Sequence, residues 1–451
     1  MRTLAQLARD LRAGATSSRS LVEECLARIA DTAGEGQRTF VKVHADTARA
    51  AADCYDRLRA HGAQPSQYAG IPVSIKDLFD LAGDVTTAGS TVLRDQPRAE
   101  ADAPVVARLR AAGFVPIGRT NMTEFAYSGL GVNPHYGTPL NPFERARRRI
   151  PGGSSSGAAI SITEQMCHGA LGTDTGGSCR IPAAFCGIVG FKPTARRVPL
   201  TGVFPLSQTL DSAGPLAASV ECCAILDAFL AAEPAPALDR REVRGARLAV
   251  PQRYVLDDLD AHVARTFERA LGELSRARAD LIELPLTELG EIARMNAKGG
   301  FPAAESYALH RQRLDTQRAQ IDPRVAMRIL RGREQSAADY IDLFRARSDL
   351  QQRIAGHLAP FDAVVFPTAS LIAPTLAELE SDEEYIRLNL LAVRNSTVVN
   401  LLDRCAISIP CQEAGSAPVG LTLMGPHGGD RPLLALAAAV EALICPKRAG
   451  A

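Results

Sequence analysis

Hydrophobic and polar positions along the 451-residue chain follow two periods, helical near the start and mixed thereafter. Ser20-Leu21-Val22-Glu23 has the S-x-x-E form of a capping box, and the apolar positions from Cys25 to Ile29 predict a first helix behind it. Asp46 is placed to cap a second helix through Ala50, Ala51 and Leu58, with Gly62 as its stop. Strand and helix patterns then alternate. Ile71-Pro72-Val73-Ser74-Ile75 carries apolar residues at period two and predicts a strand that delivers Lys76 at its end. Asp102 and Pro104 open a helix over Val105 to Ala112, Gly113 stops it, and Phe114 to Ile117 reads as a buried strand. A Gly/Ser turn at 152–157 leads into an apolar helix from Ala158 to about Cys167. Helical patterns at Val263–Leu274 and Tyr340–Ile354 precede or separate short apolar runs at Ala363–Phe366, Ala406–Ile409 and Val419–Met424, which read as strands. Such long crossovers imply an α/β fold, a layered α/β/α arrangement around a large mixed or mostly parallel sheet with helices on both faces. No linker or charge block cuts the chain. The expectation is one domain over 1–451, with a helical segment at 1–62, a core at 63–225 and a C-terminal half at 226–451 that completes the sheet.

Charge narrows the function. Lys plus Arg number 51 against 50 Asp plus Glu, a balance that argues against a nucleic-acid or membrane-surface partner and leaves a small molecule as the natural ligand. The first fifteen residues hold Arg2, Arg9, Asp10 and Arg12 without a continuous apolar run, so no secretory signal is expected there, and no membrane-spanning run is seen. The ten cysteines form no C-x-x-C pair, so neither a disulfide scaffold nor a zinc site is expected. A reduced, cytoplasmic setting without metal or organic cofactor fits this composition.

The chemistry concentrates between Pro151 and Thr194, where Gly and Ser cluster at 152–157 and 172–178. Glycine accepts positive φ and lets backbone N–H groups converge on one point. Thr175-Gly176-Gly177-Ser178 therefore brings oxyanion donors together with a serine hydroxyl, the pairing that acyl transfer needs. None of the eight histidines sits in either cluster. A lysine ionises near ~10.4 in water and acts as a base only if burial depresses that value. Lys76, ending an apolar strand, is such a candidate.

The run GGSSSG, then GTDTGGSCRIPAAFCGIVGFKPT, preceded by GIPVSIKD, resembles the amidase signature hydrolases. Gly118–Phe125, Asn133–Pro142, Phe366-Pro367-Thr368 and Pro418–Leu421 look like further landmarks, so the resemblance covers about 66 to 425. It implies amide hydrolysis to a carboxylic acid and ammonia or an amine. It also implies Ser178 as nucleophile, Ser154 as bridging serine on a cis peptide bond, and Lys76 as terminal base. The N–H groups of Thr175, Gly176, Gly177 and Ser178 would form the oxyanion hole, with Ser155, Asp174 and Arg180 supporting the turn. Tyr127 and Arg394 are candidates for the substrate pocket, and a carboxylate-steering role is open to the Arg145–Arg149 cluster. Cys179, Ile160 and Thr163 depart from the pattern as packing variation.

Other readings stand beside this one. Gly153–Gly157 also fits G-x-S-x-G with Ser155 central and His427 as partner, though no strand precedes it. Cys179 beside the Gly-rich turn raises a cysteine hydrolase, and the Gly-rich turns raise an anion nest, although no phosphate-loop motif is present. Within the family, a stand-alone amidase acting on a small-molecule amide competes with the glutaminase subunit of a tRNA-dependent amidotransferase. The stretch YSGLGVNPHY at 127–136 looks more like the former. The hydrophobic helices near either end are candidates for a homodimer surface.

Overall fold

A computed structural model describes residues 1–234, 238–239 and 241–445. Eleven strands among them form one sheet. In chain order they are β1 (Phe40–Val43), β2 (Pro72–Lys76), β3 (Val115–Thr120), β4 (Gly169–Thr173), β5 (Val189–Lys192), β6 (Ala213–Ala217), β7 (Arg247–Pro251), β8 (Asp280–Leu284), β9 (Ala363–Pro367), β10 (Ala406–Pro410) and β11 (Gly420–Met424). Their spatial order is β1-β3-β2-β4-β6-β5-β10-β11-β9-β7-β8. The sheet is mixed. β2 runs parallel to both β3 and β4, β7 runs parallel to β8 and β9, and antiparallel pairs join the rest.

Both faces of the sheet are covered, which is why its central strands are buried at every position rather than at alternate ones. Val73, Ile75, Leu171, Leu248, Val365 and Ile407 point into one core, shared with helices Leu4–Ala13, Val220–Ala231 and Asp430–Ile444. Ala170, Ile117 and Leu216 point the other way, into a core with helices Ser18–Ala30, Ala45–Ala60, Ser156–Thr163 and Arg180–Cys186. The expected α/β architecture with helices on both faces is what the chain forms.

Several local expectations shift. The first helix over Cys25–Ile29 spans Ser18–Ala30 and is capped by Ser17, whose side chain accepts from Ser20 N–H, so the cap lies three residues before the predicted one. Asp46 lies inside the first turn of Ala45–Ala60 rather than capping it. Asp102 does not cap Pro104–Ala111 but accepts from Ala82 N–H at 2.9 Å. The helix predicted to reach Cys167 stops at Thr163, because Gln165 turns to φ 53°. The segment 1–62 is not wholly helical: Phe40–Val43 leaves it as edge strand β1, paired with β3. The terminal helices, read as a dimer surface, bury Leu4, Leu7, Leu11, Leu433, Leu434 and Leu436 in the core instead. Among the described residues no helix is long and apolar enough to cross a membrane.

Candidate active site

Three parallel neighbours, β3, β2 and β4, end on the same side, and open α/β sheets bind ligands at the carboxyl ends of such strands. Lys76 is the last residue of β2 and Thr173 the last of β4. Lys76 is fully buried, and its Nζ donates to Ser154 Oγ at 2.8 Å and to Thr173 Oγ1 at 2.8 Å. Among the described residues no carboxylate pairs with it within 4.0 Å. The adjacent Asp77 is consumed by Arg119 (2.7 Å) and by Gly89 N–H (3.0 Å). Burial lowers the Lys76 ammonium to about 8, with Cys179, Asp211 and Asp174 offsetting part of that push. A substantial neutral fraction therefore exists at mildly alkaline pH.

Ser154 follows a cis Gly153–Ser154 peptide bond, is fully buried, and its carbonyl accepts from Thr123 N–H at 3.1 Å. The glycines before it admit another chain segment, since a Cβ on Gly153 would lie 2.6 Å from Gly131 N. Ser155 N–H donates to the Ser178 carbonyl at 3.3 Å, and Ser155 Oγ to the Thr173 carbonyl at 3.3 Å, so the two serine clusters are stitched together beside Lys76.

The turn leaving β4 is held from beneath. Asp174 and Arg180 form a fully buried bidentate pair at 2.8 and 3.0 Å, and Asn400 Nδ2 donates to Asp174 Oδ1 at 3.0 Å. Burial alone would raise the Asp174 carboxyl, but Arg180 and Asn400 hold it down at about 2. Asp174 also accepts from Gly177 N–H (2.9 Å) and Cys179 N–H (3.1 Å). From the other side Ser396 Oγ donates to the Gly176 carbonyl at 2.6 Å, and Thr175 Oγ1 donates to Asp211. Of the four N–H groups read as oxyanion donors, Gly177 is thus directed at Asp174. Those of Thr175, Gly176 and Ser178 have no acceptor among the described residues. Gly177 has φ 123°, and a Cβ there would meet Ser396 Oγ at 2.1 Å, so only glycine fits this turn.

Ser178, Thr175 and Gly176 line a cavity of about 150 Å³. Tyr127 also lines it, as do Arg328 and Arg331. Arg394 does not. It pairs with Asp258 at 3.6 Å and donates to the Asp257 carbonyl, which places it outside the lining. The Arg145–Arg149 cluster is also elsewhere: Arg145 pairs with Glu164, and Arg147 and Arg149 pair with Glu144. Cys179 is buried, its thiol pushed well up by burial, with Sγ turned toward the Gly214 carbonyl at 3.5 Å. His427 is exposed and bonded to the Asp403 carbonyl at 2.8 Å, while Ser155 is fully buried. Sequence reasoning missed Thr173, Asp211, Ser396, Asn400, Arg328 and Arg331. Thr173 lies within the motif, but the others come from distant segments with no local signature.

The Amidase family pattern matches residues 20–434. The chain is 39% identical over 406 residues to 2-amino-5-chloromuconic acid deaminase of Comamonas testosteroni, covering 88% of this chain and 86% of that protein. It is 34% identical over 473 residues to a glutamyl-tRNA(Gln) amidotransferase subunit of Anaeromyxobacter sp. (strain K), covering 96% and 94% respectively. A crystal structure of an amidase superposes with a TM-score of 0.89 at 31% identity, over 98% of this chain and 100% of that one. The chain belongs to the amidase signature family. Its activity is amide hydrolysis.

Proposed function

We propose that Ser178 is the nucleophile, activated through Ser154 by neutral Lys76. The supporting observation is the fully buried 2.8 Å contact between Lys76 Nζ and Ser154 Oγ, made by a lysine without a carboxylate partner among the described residues. Ser154 passes its proton to Lys76 and takes the proton of Ser178, whose Oγ bonds to the amide carbon. The carbonyl electrons move onto oxygen, where the N–H groups of Thr175, Gly176 and Ser178 stabilise them, each good donor contributing about 3 kcal/mol. The proton held by Lys76 returns through Ser154 to the leaving nitrogen, the C–N bond breaks, and ammonia or an amine departs. Water then adds to the acyl-enzyme by the same relay and frees a carboxylic acid. Thr173 holds the lysine in place, and Asp174 with Arg180 fixes the turn. Ser178→Ala and Lys76→Ala are each expected to lower kcat by at least about a thousandfold with the circular dichroism spectrum unchanged. Wild-type turnover by Ser178→Ala would remove the assignment.

A second reading, the glutaminase subunit of a tRNA-dependent amidotransferase, is favoured by the 34% identity to such a protein. The chain purified alone and given a carboxamide panel that includes glutamine separates the two. A stand-alone enzyme releases ammonia without partners, whereas activity on glutamine that appears only with added partner subunits supports the second reading. The ten cysteines, spread along the chain without a C-x-x-C pair, support a reducing cytoplasm. Exposed Leu309, Ile341 and Phe344 support a homodimer better than the terminal helices do.

A further inference from the structure

Arg328 and Arg331 lie three residues apart, at the end of helix Pro323–Leu330 and the start of the next turn, and both line the cavity that holds Ser178. Side chains at this spacing are neighbours, so two guanidinium groups converge on one space. One turn earlier Arg324 pairs with Asp382 at 2.8 Å, but neither Arg328 nor Arg331 has a carboxylate within 4.0 Å among the described residues. Among the described residues no Asp or Glu lines the cavity, and the rest of its wall is largely apolar, including Leu206, Leu210 and Val393. Each arginine is nonetheless pinned. Arg328 Nη1 donates to the Tyr127 carbonyl at 3.0 Å with its guanidinium 5.1 Å from the Tyr127 ring centroid, and Arg331 Nη2 donates to the Ala297 carbonyl at 2.7 Å. Each keeps further N–H donors unspent, in the planar fork that matches a carboxylate.

Resting on Ser178 as the reacting serine, we infer that the substrate is an amide bearing a second, distal carboxylate, which Arg328 and Arg331 hold while Ser178 meets the amide. The same wall selects against an ammonium group, since it offers two cations and no counter-charge. Half-amides of dicarboxylic acids therefore fit, and glutamine, whose α-ammonium would enter beside the arginines, fits worse than glutaramate, the same skeleton without that group.

The test compares half-amides of three to six carbons with their diamides, and glutaramate with glutamine. The wild-type enzyme is expected to prefer at least one half-amide over its diamide, and glutaramate over glutamine, by roughly tenfold or more in kcat/KM. Arg328→Gln or Arg331→Gln should cut that preference by roughly 10–100-fold, the range for losing a charged hydrogen bond, while Arg328→Lys retains more of it. Binding of the same ligands to Ser178→Ala protein, read by calorimetry, follows the same order without turnover. Equal handling of half-amide and diamide, or a preference indifferent to both glutamine variants, overturns the inference. Turnover surviving in Ser178→Ala would instead remove the catalytic reading, leaving the binding selectivity to be judged by calorimetry.

Discussion

Lys76, the proposed base, owes its chemistry to its enclosure. Its Nζ is enclosed at the end of a central strand and satisfied by two hydroxyls, with no paired carboxylate among the described residues, so its neutral form is favoured down to about 8. The nearby titratable groups, Cys179, Asp211 and Asp174, only soften that effect. Because the relay needs the neutral amine, kcat/KM should climb about tenfold per pH unit below 8 and level off above it. A profile flat from pH 6 to 9 would mean that Lys76 is not the group that titrates. Position 76 was legible in the sequence because the strand and its motif are local. Thr173 was not singled out, since a threonine ending a Gly/Ala-rich strand carries no signal until β2 and β4 are paired.

At the scale of elements, the turn after β4 is shaped from below by buried charges. Asp174 accepts two backbone N–H groups of the turn while paired with Arg180, and helix Asp382–Leu401 supplies Asn400 and Ser396 to the same turn. Asp174→Asn leaves the Arg180 charge buried without its partner, a change that costs about 3–5 kcal/mol. Chemical denaturation should show that loss together with a fall in kcat, and a variant as stable as the wild type would refute this role. The sequence disclosed the turn with Asp174 and Arg180, but not Ser396 and Asn400, which lie about 220 residues further along. The same limit explains the strands that periodicity passed over. Gly169–Thr173 and Ala213–Ala217 are rich in Gly, Ala and Pro, poor strand formers alone, and they are strands because each pairs with a neighbour already in the sheet.

Across the whole molecule, the proposed reacting residues lie in the N-terminal half of the chain, while the cavity wall is drawn from both halves, Tyr127 and Leu206 from the first and Arg328 and Arg331 from the second. Family and reaction class were readable from three ordered motifs, because those motifs form the first half's strand ends and turns. Of the pocket only Tyr127 was readable, because Arg328 and Arg331 reach the cavity from a helical segment whose sequence carries no motif, and Arg394, the other pocket candidate, is spent on Asp258. The whole mechanism rests on a covalent step at one residue. A carboxamide or ester substrate mixed with enzyme in a single turnover, quenched in acid and mapped by peptide mass spectrometry, tests that step directly. The predicted result is an acyl group on Ser178, absent from Ser178→Ala. An acyl group on Ser155 or Cys179, or steady hydrolysis with no covalent adduct at any time, would contradict it.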